Sequence, residues 1–192
     1  MQPLSADGTF SAQILLALIN RDVLQQFELS TSRLSSDEAE TNDAKKLTPH
    51  QQEAYKQVKS VFEEKDVCLL HGITSSGKTE VYIQLINDAL ADNKQVLYLL
   101  PEIALTTQLT SRLQAVFGND LAIYHSKIND NVRAEIWHKQ ISDNPYKIII
   151  GVRSAVFMPF ANLGLVIIDE EHDQSYRQTD PSPRYHGKNT AI

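Results

Sequence analysis

The sequence predicts an α/β domain, three layers deep, in which helices cover both faces of a mostly parallel sheet, with a short helical segment in front of it. Three observations carry this expectation. From Leu47 to Ile168, short apolar runs alternate with helical stretches of about ten to fifteen residues, the pattern of repeated strand–helix–strand units. Several of the runs, such as Val67–Leu70 and Leu165–Ile168, are continuously apolar, as in strands buried on both faces. A polar stretch, Thr31 to Lys46, sets this region apart from the first thirty residues.

Element by element, Ser11 to Phe27 carries Ile14, Leu15, Leu18, Ile19, Val23 and Leu24 at helical spacing, with Ser11 as its N-cap. Residues 31–46 hold one sizeable apolar side chain, Leu34, among Ser, Asp, Glu, Thr, Asn and Lys; they cannot bury enough surface to fold and read as a linker. The main domain then runs from Leu47. A helix is expected over Leu47–Glu64, a strand over Val67–Leu70, and a helix from Gly77 to about Asp92. A strand at Gln95–Leu100 and a helix from about Ala104 to Val116 follow. Next come a strand at Leu121–Tyr124, a helix from about Asn129 to Ser142, and strands at Lys147–Ile150 and Leu163–Ile168.

Composition narrows the classes of function. At 192 residues, 42% hydrophobic and 22% charged, the chain has the make-up of a soluble globular protein, too short for two full domains. It has no apolar run long enough to cross a bilayer, and no membrane role is expected. The first residues lack the basic start and apolar stretch of a secretory signal, so the cytoplasm is the expected location. The single cysteine, Cys68, can form neither an internal disulfide nor a cysteine-rich zinc site, and reads as a small core residue. A net charge of -6 argues against a protein that coats nucleic acid through bulk positive charge, so any contact with DNA must be local.

Gly72-Ile73-Thr74-Ser75-Ser76-Gly77-Lys78-Thr79 matches the phosphate-binding pattern G-x-x-x-x-G-K-[ST] and lies between an expected strand and an expected helix. In that setting backbone N–H groups wrap the phosphates and the helix turns its positive end toward them. Lys78 then reaches the outer phosphate oxygens, and the Thr79 hydroxyl is a ligand for Mg²⁺. A second requirement is a carboxylate at the end of a neighbouring strand. Leu165-Val166-Ile167-Ile168-Asp169-Glu170 supplies it, with Asp169 as the Mg²⁺ partner and Glu170 as general base on water. Together the two motifs predict a nucleoside triphosphate hydrolase. The Asp-x-x-Gly and Asn-Lys-x-Asp signatures of a GTPase are absent.

Asp169-Glu170-Glu171-His172 resembles the acidic signature of superfamily 2 helicases, and further segments in order resemble the PriA family of primosomal replication-restart helicases. These are Leu47-Thr48-Pro49-His50-Gln51-Gln52, Gly77-Lys78-Thr79-Glu80-Val81-Tyr82, Leu99 to Thr106, Tyr124-His125-Ser126, Gly151-Val152-Arg153-Ser154-Ala155, and Ser175-Tyr176-Arg177-Gln178 with Pro183-Arg184-Tyr185. The resemblance covers roughly Leu47 to the end. It implies a RecA-like P-loop NTPase lobe over residues 47–192, with Gln51 reading adenine and Gly72, Thr74, Ser75, Ser76, Gly77, Lys78 and Thr79 holding ATP. His172 would link the nucleotide to nucleic acid, and Pro101, Thr106, Arg153 and Ser154 would meet the DNA backbone. Tyr176, Arg177 and Tyr185 would stack on bases or pair with phosphates. Taken alone, the Leu99–Thr106 segment fits a plain strand-to-helix connection, Arg153 fits a solvated or ion-paired arginine, and the 173–185 loop fits a flexible end.

Ser75 departs from the family, which usually has glycine there. By the same resemblance the chain stops before motif III, before a second lobe with its arginine finger, and before the paired zinc-binding cysteines, so zinc is expected only in the full-length protein. Residues 1–30 would be a remnant of the preceding winged-helix domain, although a single helix also fits any trimmed linker. The implied activity is ATP-dependent 3'-5' DNA translocation at stalled forks and D-loops, with single-stranded and forked DNA, single-strand binding protein and primosome proteins as partners. This chain alone would then turn over slowly. A RecG-like or restriction-type translocase, and a nucleotide-binding module without turnover, are the alternatives.

Overall fold

The computed structural model describes residues 46–72 and 76–192. The helix expected over Ser11–Phe27 and the linker up to residue 45 lie outside the described residues, as do Thr74 and Ser75.

The first described helix, α1 (Pro49–Phe62), starts where the sequence offers a complete start signal. Thr48 Oγ1 accepts from Gln51 N–H while Gln51 Oε1 accepts from Thr48 N–H, and Pro49 gives up an N–H that the first turn does not use. Helix α1 docks through Val58, which packs with Val81 and Leu85 of α2 (Lys78–Ala91). Asp88 of α2 pins it there, accepting from Tyr55 Oη at 2.6 Å and Lys59 Nζ at 2.9 Å.

Beyond α2 the chain alternates as expected: β1 (Gln95–Leu99), α3 (Thr107–Phe117), β2 (Leu121–Tyr124), α4 (Asp130–Gln140), β3 (Ile148–Gly151) and β4 (Leu163–Ile168). The four strands form one parallel sheet in the order β2-β3-β1-β4. One face buries Tyr98, Ile148 and Ile150 against Ile83 and Ile86 of α2 and Leu113 of α3. The other buries Leu97, Leu99 and Ile149 with Ile136 of α4, Met158 and Tyr176. The chain ends in a short antiparallel pair, β5 (Arg177–Gln178) with β6 (Tyr185–His186), and a last turn of helix, α5 (Gly187–Ala191).

One expected strand is absent. Residues 67–70 join no ladder, and among the described residues β4 is the edge of the sheet. Only every second side chain faces the core: Cys68 and Leu70 pack beside Leu165, whereas Val67 and Leu69 are 56% and 71% exposed. A continuous apolar run therefore does not stand for burial on both faces here, because strand pairing depends on a partner that the run does not encode.

Ile149, fully buried on β3, tests the packing of the sheet. Ile149→Ala is expected to destabilise the domain by about 2–5 kcal/mol through lost contact and a residual cavity. Urea unfolding measures this; an unchanged midpoint would show that the α4 face of the sheet is not a packed core.

Candidate nucleotide site

Parallel strands leave their carboxyl ends along one edge, and in open α/β sheets ligands bind in the crevice outside those ends. The two chemical motifs meet near this edge. Lys78 opens α2 and donates from Nζ to Gly72 O at 2.8 Å, with Glu170 Oε1 3.7 Å away. Asp169 directly follows β4, and its N–H donates to Leu99 O of β1 at 3.0 Å. Gly77, at φ 81°, turns the loop into α2 in the left-handed region, and a Cβ there would collide with Gln51 Nε2. Gly77, the N-cap of α2, has no side chain to cap it; Glu80 N–H donates to Gly77 O at 3.1 Å, so an anion there would meet the N–H groups of Lys78 and Thr79.

Glu170 adopts φ 46°, a costly backbone conformation for a residue with a Cβ. The turn aims its carboxylate back at Lys78, with His172 Nε2 at 3.8 Å on the far side. Gln51 also reaches the loop. Its Nε2 donates to Gly77 O at 3.2 Å, while Oε1 accepts from both the N–H and the hydroxyl of Thr48. Reading adenine would require Oε1 to give up a Thr48 bond in exchange for the base's amino group.

Tyrosine hydroxyls surround Asp169. Tyr82 Oη donates to Oδ1 at 3.4 Å, Tyr98 Oη to Oδ2 at 3.3 Å and Tyr176 Oη to the main-chain oxygen at 2.6 Å. Burial, and after it the Asp169 charge, pushes all three phenols well above their ordinary pKa, so they stay protonated donors at neutral pH. Sequence reasoning missed Tyr82 and Tyr98. Each sits in an apolar stretch with no local mark of its partner, far along the chain from Asp169.

The donor set suits magnesium, a hard cation that binds through one or two carboxylates together with substrate phosphates and keeps several waters. Asp169 and Thr79 offer hard oxygens. Among the described residues no group of three or more His, Cys, Asp or Glu gathers as a metal cage; a phosphate-bridged magnesium site needs none.

Residues 48–189 match the model of the DEAD/DEAH box helicase family. This chain belongs to that family. Its resemblance to PriA holds across distant bacteria. The chain is 42% identical over 177 residues to replication restart protein PriA of Synechocystis sp., covering 92% of this chain and 20% of that protein. It is 43% identical over 148 residues to PriA of Bacillus subtilis, covering 76% and 18%. With PriA of Haemophilus influenzae the figure is 39% over 192 residues, covering 97% and 26%. The chain thus spans about a fifth to a quarter of the length of these relatives.

In this helicase lobe the residues expected to meet DNA divide into two sets. Thr106 is exposed and caps α3, accepting from Leu109 N–H; Arg177 and His172 are exposed; Ser154 and Tyr185 are half-buried, with Tyr185 edge-on to Phe157 at 4.9 Å. Two others are corrected. Pro101 is buried, and its carbonyl is taken by Ala104 and Leu105 N–H, so it offers DNA nothing. Tyr176 is fully buried and cannot stack on a base; its hydroxyl reaches Leu99 O at 3.1 Å as well as Asp169 O, bracing β1 against β4. Arg153 is half-committed, since Nη1 donates at 3.1 Å to Ser175 O and Arg177 O, the carbonyls on either side of Tyr176. Lys188 of α5 donates to Glu171 and, by hydrogen bond and charge, holds that carboxyl below its usual pKa.

Proposed function

We infer that residues 47–192 form the first RecA-like lobe of an ATP-driven DNA helicase of the replication-restart type. The observation that carries this reading is the approach of Lys78 to Glu170 beside Asp169, at the carboxyl end of β4. In this reading the open N–H groups of α2 and Lys78 hold the phosphates, Thr79 and Asp169 hold magnesium, and Glu170 orients the attacking water and takes its proton. Magnesium, when bound, neutralises charge on the phosphate oxygens. The names of the relatives favour replication restart over a RecG-like or restriction-type translocase. DNA would run over the outward set, Thr106, Arg153, Ser154, Arg177 and Tyr185, contacts that position the backbone without reading sequence. His172, beside Glu170, would report DNA to the nucleotide. Translocation from 3' to 5', action at forks and D-loops, cytoplasmic location, and association with single-strand binding protein and primosome proteins belong to the same proposal. So does the assignment of residues 1–30 to the end of a winged-helix domain and of 31–46 to a linker.

Adenine preference tests the nucleotide half of this reading. A fluorescent adenine nucleotide bound to the chain is expected to be displaced by ATP at lower concentration than by GTP, and Gln51→Ala is expected to narrow that ratio. Equal displacement by ATP and GTP, or a ratio that Gln51→Ala leaves unchanged, would return Gln51 to the role of helix cap and loop support.

A further inference from the structure

The hydroxyls around Asp169 decide how much of its carboxylate is left for a cation. A carboxylate accepts at about four lone-pair positions, two on each oxygen. Oδ1 receives Tyr82 Oη and, at 3.1 Å, the N–H of Glu170, and is filled. Oδ2 receives Tyr98 Oη and, among the described residues, no second donor, which leaves one position for a cation. At 3.4 and 3.3 Å the two phenol bonds are long for O–H···O contacts, so they orient the carboxylate more than they bind it.

Packing holds the donors themselves in place. Tyr98 is fully buried in β1, and Tyr82 is buried on α2 with its ring edge-on to that of Tyr98 at 5.7 Å. The main chain of Asp169 is fixed separately by Tyr176, whose flanking carbonyls are gripped by Arg153. Both ends of the aspartate are thus set by groups that belong to α2, β1 and the segment after β4.

We propose that Tyr82 and Tyr98 are positioning residues that turn the Asp169 carboxylate so that a single oxygen, Oδ2, faces the magnesium of a bound nucleotide, while Tyr176 fixes its main chain. The inference rests on the nucleotide-site reading above. It adds that the metal step depends on phenol hydroxyls touching neither metal nor nucleotide. Partners that orient a ligating carboxylate typically change metal affinity 10- to 100-fold when removed.

The test is a magnesium titration of fluorescent ADP binding to the full chain, with Tyr82→Phe, Tyr98→Phe and the double variant. Phenylalanine keeps the ring and its packing. The double variant is expected to raise the magnesium concentration that half-maximally tightens binding by about tenfold or more. Affinity in excess EDTA, which reads the loop and Lys78 alone, is expected to stay unchanged. A magnesium midpoint in the double variant equal to that of the unsubstituted chain overturns the proposal. Each single variant gives an independent reading should the double fail to fold, with a rise of several-fold expected and none overturning it. If the unsubstituted chain binds ADP without any response to magnesium, the reading of Asp169 as a metal ligand fails first, and the proposal with it.

Discussion

Lys78→Ala is expected to abolish binding of Mg-ATP and Mg-ADP at micromolar nucleotide, an affinity loss on the order of 10²-fold or more. The phosphates of a bound nucleotide carry the charge that the site must meet, and the lysine is the cation of the loop. Its ammonium now donates to Gly72 O and lies near Glu170 Oε1, so a bound phosphate would replace its contacts with the loop and with Glu170. Losing it leaves the N–H groups at the start of α2 as the main source of positive potential, and a helix terminus contributes only about half a unit charge. Titration with a fluorescent adenine nucleotide measures the effect. Equal affinity of the variant and the unsubstituted chain would remove the phosphate loop from the site. A loss seen only with magnesium present would place the lysine's effect at the metal instead of at the phosphates.

Residues 1–192 alone are expected to release phosphate about 10³ to 10⁵ times more slowly than a two-lobed relative, with little stimulation by DNA, the range that arginine fingers supply in related NTPases. In two-lobed motors the nucleotide lies between lobes, and an arginine of the second lobe meets the charge that develops on the γ-phosphate. In the reading proposed above the first lobe would supply Lys78, the magnesium ligands and Glu170, which would leave that developing charge half met. A strand of DNA likewise needs both lobes for its track. Steady-state phosphate release with and without single-stranded DNA, measured beside replication restart protein PriA of Bacillus subtilis, decides the matter. Turnover at the relative's rate with a strong DNA response would mean that the second lobe is dispensable, and the two-lobed mechanism would be withdrawn.

The sequence by itself determined what local constraints specify. The order of helices and strands from Leu47 to Ile168 followed from apolar periodicity, and most elements begin and end within a few residues of where the pattern placed them. Thr48 with Gln51 announced the start of α1 because a capping box is closed by groups three residues apart. The left-handed turn at Gly77 into α2 and the carboxylate of Asp169 just after β4 fall where the sequence placed them, because a glycine before a helix and an acid after a buried strand are written in adjacent residues. What only the tertiary structure decided lies in contacts between distant segments. The order β2-β3-β1-β4, and the failure of residues 67–70 to join it, depend on which strand finds which partner, and no single strand encodes that. Pro101 and Tyr176 sit in segments that resemble DNA-contacting motifs, yet packing turns both inward, Tyr176 as the brace between Leu99 and Asp169. The phenols of Tyr82 and Tyr98 reach Asp169 only after α2 and β1 have packed together, because a hydrogen bond requires proximity in space and leaves no spacing in the chain to read.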